Sequence, residues 1–120
     1  MALNVSAPFH CALMAPAQAR LKADLDAAEF QDLAIPLVNN WRAAVVHSGA
    51  EAREGLYQQV PNPVRWADSI RRLRELGVGR FMEVGCGSVL TGLLRNIDPD
   101  AKGVKFGEAE DWEKVNAAMA

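Results

Sequence analysis

From about Cys11 to Ala28 the apolar residues Met14, Ala17, Leu21, Leu25 and Ala28 return at three- and four-residue steps, with Gln18, Lys22 and Asp26 on the other side. That spacing predicts an amphipathic helix. It begins between Ala12 and Ala15, because Pro16 is tolerated only in a first turn. Ile35-Pro36-Leu37-Val38-Asn39 is a short apolar run and reads as a strand with its proline at the start. Residues 40–49 read as loop, with an extended piece over 43–46. Ala52, Leu56 and Val60 predict a modest helix over 50–60, broken by Pro61-Asn62-Pro63. Residues 64–76 form the clearest helix. Trp66, Ile70, Leu73 and Leu76 make its buried stripe, Arg71, Arg72 and Arg74 face water, and Gly77 fits a left-handed C-cap. A strand follows over 80–84, then the turn Gly85-Cys86-Gly87 and a helix over 89–97 that ends at Asp98-Pro99. A last strand over 102–106 and a closing helix over 111–119 complete the pattern.

After residue 30 strands alternate with helices, which predicts an α/β fold with a parallel sheet flanked by helices. No repeat, low-complexity tract or dividing linker interrupts the 120 residues, so one domain is expected over 1–120. Composition agrees, at 50% hydrophobic and 23% charged, a globular balance. The net charge of −2 comes without a basic stripe and argues against nucleic acid. No apolar run is long enough to span a membrane, and the N-terminus lacks the positive region of a secretion signal. The start is abrupt for a whole domain and reads as an internal start or a truncation point. Cys11 and Cys86 form no CxxC pair. They read as reduced, packed side chains of a cytoplasmic protein rather than as metal ligands.

Three features carry candidate chemistry. Glu83-Val84-Gly85-Cys86-Gly87-Ser88 is a glycine-rich strand-to-helix turn, where backbone can approach a ligand and a helix N-terminus favours anions. It resembles the first motif of S-adenosylmethionine-dependent methyltransferases. However, its third glycine position holds Val89, and it stands near the end of the chain rather than opening a long sheet. The plain alternative is a tight turn that caps the helix. Ser6, Ser48, Ser69 and Ser88 all lie outside any GxSxG elbow, so the chain holds no self-contained serine–histidine site. Of the two histidines, His47 sits in a polar loop and reads as surface. His10 immediately precedes a helix, where the positive end of the dipole favours a neutral base. A lone histidine in that place is more often structural than catalytic.

The string Val5-Ser6-Ala7-Pro8-Phe9-His10-Cys11-Ala12-Leu13-Met14 resembles the histidine motif of malonyl-CoA:acyl carrier protein transacylases of fatty acid synthesis. Three later segments are similar to that family in the same order: Pro36–Asn40, Gln59–Trp66 and Glu83–Leu93. The resemblance also takes in Lys105-Phe106-Gly107 and runs along essentially the whole chain.

The resemblance implies the C-terminal part of an α/β-hydrolase-like core. It implies transfer of malonyl from coenzyme A to the phosphopantetheine thiol of acyl carrier protein, through a malonyl-serine intermediate. His10 is then the base for the serine and the acid for the leaving thiolate, and the backbone carbonyl of Gln59 orients its ring. Malonyl-CoA and acyl carrier protein are the implied partners. No cofactor or metal is implied. The family's serine elbow, its arginine for the malonyl carboxylate, its oxyanion-hole glutamine and its small ferredoxin-like subdomain precede the histidine motif and have no counterpart here. The missing N-terminal part is thus a further expected partner, and the chain alone is expected to be inactive, with exposed sheet edges. Cys86 stands where the family usually has proline, and residues 41–48 fit its loop poorly. A non-catalytic scaffold or carrier-protein docking module is the alternative from another class, and a methyltransferase fragment is the remote one.

Overall fold

The computed structural model describes residues 8–120. Val5, Ser6 and Ala7 of the histidine string lie outside them. Contacts divide the chain into two compact units, one ending at Ser69 and the other starting at Ile70.

The first unit begins with a turn and a short 3-10 turn over Ala12–Met14. Helix α1 follows over Ala15–Ala27, with Pro16 in its first turn as the sequence requires. Of its apolar stripe Leu25 is buried, and Met14, Ala17 and Leu21 are half-buried. Strands β1 (Leu37–Val38) and β2 (Val45–Val46) pair antiparallel, Leu37 opposite Val46 and Val38 opposite Val45. Here the expected parallel sheet gives way to a hairpin. Residues 39–44 are far too few for the crossover that parallel strands need. Their bend is closed by Ala43 N–H on the Asn39 carbonyl and Arg42 N–H on Asn39 Oδ1, at 2.9 and 3.0 Å.

Helix α2 (Gly49–Gln59) starts with a capping box. Ser48 Oγ accepts from Glu51 N–H, and Glu51 Oε2 accepts from Ser48 N–H, each at 3.2 Å. Gly49 is buried against the backbone of residues 30 and 31. A Cβ there would overlap the Phe30 and Gln31 carbonyls.

The division falls within helix α3 (Trp66–Glu75). Ile70, only 1% exposed, is the best-buried residue of the expected stripe, whereas Leu76 is exposed. Gly77 takes the left-handed C-cap at φ 86°. Arg74 does not simply face water as the periodicity suggested. Its guanidinium donates to Asp98 Oδ2 at 2.6 Å and to the Val78 carbonyl at 3.0 Å. A long side chain can reach from a polar face to an acceptor that helical spacing does not register.

Strands β3 (Arg80–Val84) and β4 (Lys102–Phe106) pair parallel from Arg80↔Lys102 to Val84↔Phe106. Helix α4 (Val89–Ile97) is their crossover and α5 (Trp112–Met119) closes the unit. With Ile70, the residues Leu94, Ala101, Val104 and Val115 are its buried apolar residues. The remaining apolar face of α4 is not covered: Val89, Leu90 and Leu93 are exposed, as are Met82 and Val84 of β3. Cys86, expected to be packed, is exposed, and Cys11 is half-buried.

The glycine turn is held from within. Glu83 accepts from Leu90 N–H at 3.0 Å, Thr91 N–H at 2.8 Å and Thr91 Oγ1 at 2.6 Å. A strand carboxylate thus occupies the amides at the start of α4.

Two outcomes are expected. Gly49→Ala should destabilise the protein by about 1–3 kcal/mol through overpacking, read as a lowered urea midpoint; an unchanged midpoint would contradict the close approach. The Thr91 hydroxyl, then the Thr91 amide, hold the Glu83 carboxyl below its ordinary value. A carboxylate lowered in the folded state adds stability in full above its unfolded value of about 4.3, and that stability fades as pH falls through the lower folded value. The drop in urea midpoint on acidification should therefore be smaller in Glu83→Gln than in the parent, and equal drops would remove Glu83 from the account.

Candidate functional site

The site grows from the end of α2. The last carbonyls of any helix lack partners within it and need donors from elsewhere. In a continuing helix the carbonyls of Tyr57 and Gln59 would accept from residues 61 and 63, four positions on. Both are proline and have no N–H. Donors arrive from far along the chain instead. Gln18 Nε2 donates to the Tyr57 carbonyl at 3.0 Å, and His10 Nδ1 lies 3.0 Å from the Gln59 carbonyl. The intervening Gln58 carbonyl accepts from Asn62 Nδ2 at 2.7 Å, and Gln59 Nε2 returns to the Asn62 carbonyl at 2.8 Å. Asn62 N–H shares the Gln59 carbonyl at 3.3 Å.

His10 stands in a turn with φ 54°, a left-handed conformation that histidine enters more readily than most residues. Cys11 Sγ–H donates to the Pro8 carbonyl at 3.2 Å and ties that turn. The helix-dipole argument does not carry over. The 3-10 turn separates His10 from α1, and a dipole's influence is confined to the first turn. What aims the ring is the Gln59 oxygen. A carbonyl only accepts, so in the neutral ring Nδ1 carries the proton and Nε2 keeps its lone pair. His10 is exposed, and among the described residues none hydrogen-bonds Nε2. A cleft of about 280 Å³ opens beside Gln59, lined also by Leu37, Val38, Asn39 and Leu56. An open Nε2 on an oriented imidazole can take a proton from, or return one to, a group brought against it.

The two named site residues therefore meet, across 49 positions of sequence. Gln18 and Asn62 were not singled out by sequence reasoning. The signal that could have found Gln18 is the pair of prolines, which announces carbonyls without a helical donor at Tyr57 and Gln59; no such signal marks Asn62, whose side chain takes the Gln58 carbonyl. His47 is exposed, as expected. At the glycine turn of the second unit Glu83 already takes the Leu90 and Thr91 amides that open α4, which disfavours the methyltransferase reading. Among the described residues no cluster of His, Cys, Asp and Glu could hold a metal ion, and no helix is long and apolar enough to cross a membrane.

No protein-family model matches the chain. The malonyl CoA-acyl carrier protein transacylase of Bacillus subtilis is 39% identical over 111 residues, which are 92% of this chain and 35% of that protein. The crystal structure of an acyl-carrier-protein S-malonyltransferase from Bartonella henselae matches with a TM-score of 0.90 at 36% identity, over 98% of this chain and 38% of the other. A type II polyketide acyl-carrier protein in complex with its malonyl-transacylase matches with a TM-score of 0.87 at 37% identity, over 93% of this chain and 36% of the other. The chain thus spans little more than a third of the length of these relatives. It is, in sequence and in fold, a relative of the malonyl CoA-acyl carrier protein transacylases, matching one segment of them over nearly its whole length.

Proposed function

We propose that the chain is the C-terminal portion of an [acyl-carrier-protein] S-malonyltransferase of fatty acid biosynthesis, acting in the cytoplasm, and that it supplies the catalytic base His10. The observation that carries this reading is the 3.0 Å contact between His10 Nδ1 and the Gln59 carbonyl, which leaves Nε2 directed to reaction. The serine nucleophile comes from the part of the acyltransferase domain that this chain lacks. So do the small ferredoxin-like subdomain and the rest of the α/β-hydrolase-like parallel sheet.

In the first half-reaction His10 Nε2 takes the serine proton as the serine oxygen bonds to the malonyl carbonyl carbon. The thioester C–S bond then breaks, and the departing coenzyme A thiolate takes that proton back. In the second, Nε2 takes the proton of the carrier's phosphopantetheine thiol. The thiolate attacks the malonyl-serine, and the serine leaves with the proton. Malonyl-CoA and acyl carrier protein are the substrates, and the cycle calls on no cofactor. The Gln59 carbonyl does the orienting that a carboxylate does in other serine–histidine sites. The exposed apolar side chains of β3 and α4 support the reading as a portion of a larger fold, for large uncovered apolar faces mark contact surfaces. They would equally suit a docking module, but such a module has no use for an oriented imidazole.

A chimera tests the proposal. This chain replaces the matching 111 residues of the Bacillus subtilis relative, and malonyl transfer to holo-acyl carrier protein is assayed. His10→Asn keeps a residue that tolerates the left-handed turn. It should lower kcat/KM by about 10²–10⁴-fold, and undiminished transfer would overturn the role of His10. The chain by itself should transfer no malonyl. Turnover by the chain alone, lost in His10→Asn, would show that it is not a portion dependent on the rest.

A further inference from the structure

We propose that Gln18 is a positioning residue for His10, so that two proline-vacated carbonyls on one helix end hold α1 and the imidazole in register. The proposal rests on the reading of His10 as the base.

The geometry points to Gln18 as follows. His10 leads through a single 3-10 turn into α1, so the placement of α1 on α2 decides where the ring goes. The apolar contacts of α1, Leu25 above all, are not directional and would tolerate small slides along the helix axis. The Gln18 amide is directional. It reaches from the first turn of α1 to the Tyr57 carbonyl at 3.0 Å, one peptide group away from the pair that flanks Gln59. Pro61 makes that carbonyl available by removing the only backbone donor a continuing helix would offer it, just as Pro63 does for the carbonyl His10 uses. Tyr57 and Gln59 lie in the same terminal turn, and Asn62 ties the Gln58 carbonyl between them. The two long-range donors, Gln18 and His10, thus fall on one rigid set of acceptors. With one fixed, the other has little freedom to drift.

The test is nitrogen-15 NMR of the histidine rings in the full chain, at a pH well above histidine titration. His10 in the parent protein should be mainly the Nδ1–H tautomer, the reverse of free imidazole side chains, where Nε2–H predominates. Gln18→Ala removes the donor, and Gln18→Met removes it while keeping length and helix preference. Both should shift His10 toward the free-imidazole mixture and leave His47 unchanged. Gln18→Lys, which still donates, should restore the Nδ1–H signature. Far-UV circular dichroism identifies any variant that fails to fold, and the Met variant then replaces the Ala variant. In the chimera, Gln18→Met should lower kcat by about ten- to a hundredfold with KM for malonyl-CoA little changed. An unchanged His10 tautomer in folded Gln18→Met overturns the proposal, even where transfer still depends on His10. A shifted tautomer with undiminished transfer upholds the positioning and overturns His10 as the base, so the two failures are distinguishable.

Discussion

A carbonyl at the end of a helix must find a donor, and proline decides where that donor can come from. At the end of α2 the prolines at 61 and 63 silence the two backbone donors that would close the helix on itself. An unpaired carbonyl carries a free-energy cost comparable to a lost hydrogen bond where water is excluded. Side chains from the first twenty residues meet that need, Gln18 at Tyr57 and His10 at Gln59. The first unit is therefore organised around a deliberate gap in local hydrogen bonding, filled at long range. Without Pro63 the Gln59 oxygen, which already accepts from Asn62 N–H at 3.3 Å, would have a second local donor, and the imidazole would compete for it.

This logic also explains what could be read from the sequence and what could not. Helices and strands in step with a clear apolar period lie close to where the spacing puts them, as in β3, α4 and β4. His10 and Gln59 were legible through the resemblance, because both fall inside strings that carry it. The β1–β2 hairpin was not. Residues 41–48 carry little periodicity, and their bend depends on Asn39 side-chain and carbonyl contacts and a left-handed Ala43. Gln18 was assigned only to a polar face. A helical wheel says which way an amide points, not that a vacated carbonyl stands there. Arg74 shows the same limit in the second unit, where its partner Asp98 lies 24 positions away. Periodicity records burial, whereas directional polar pairing is a property of the assembled fold.

The second unit treats its helix end in the opposite way. The amides opening α4 meet a carboxylate from the strand just before, so Glu83 closes that turn locally. A helix start is open to an anion only where its amides are unclaimed, and those of Leu90 and Thr91 are claimed. The chemistry of the described residues thus concentrates on the first unit, while the second contributes a βαβ crossover with an uncovered apolar flank. Such a flank costs solubility in isolation and is well explained in a chain that matches only 35% of a relative's length.

The choice of a carbonyl as the ring's partner has a consequence of its own. A carboxylate would orient the imidazole and also attract its charged form. A peptide oxygen orients by a fixed dipole and adds no net charge to the site. The direction of the ring then depends on how firmly that peptide is held. Gln59 is held from three sides: by the helix behind it, by Asn62 N–H on its oxygen, and by its own amide on the Asn62 carbonyl. His10 bears a matching constraint, for its left-handed backbone runs against the general preference of L-residues by about 1–2 kcal/mol. A strained turn persists only where surrounding contacts over-determine it. Here those contacts are the Cys11 thiol on the Pro8 carbonyl, the ring on Gln59, and the anchored helix that follows.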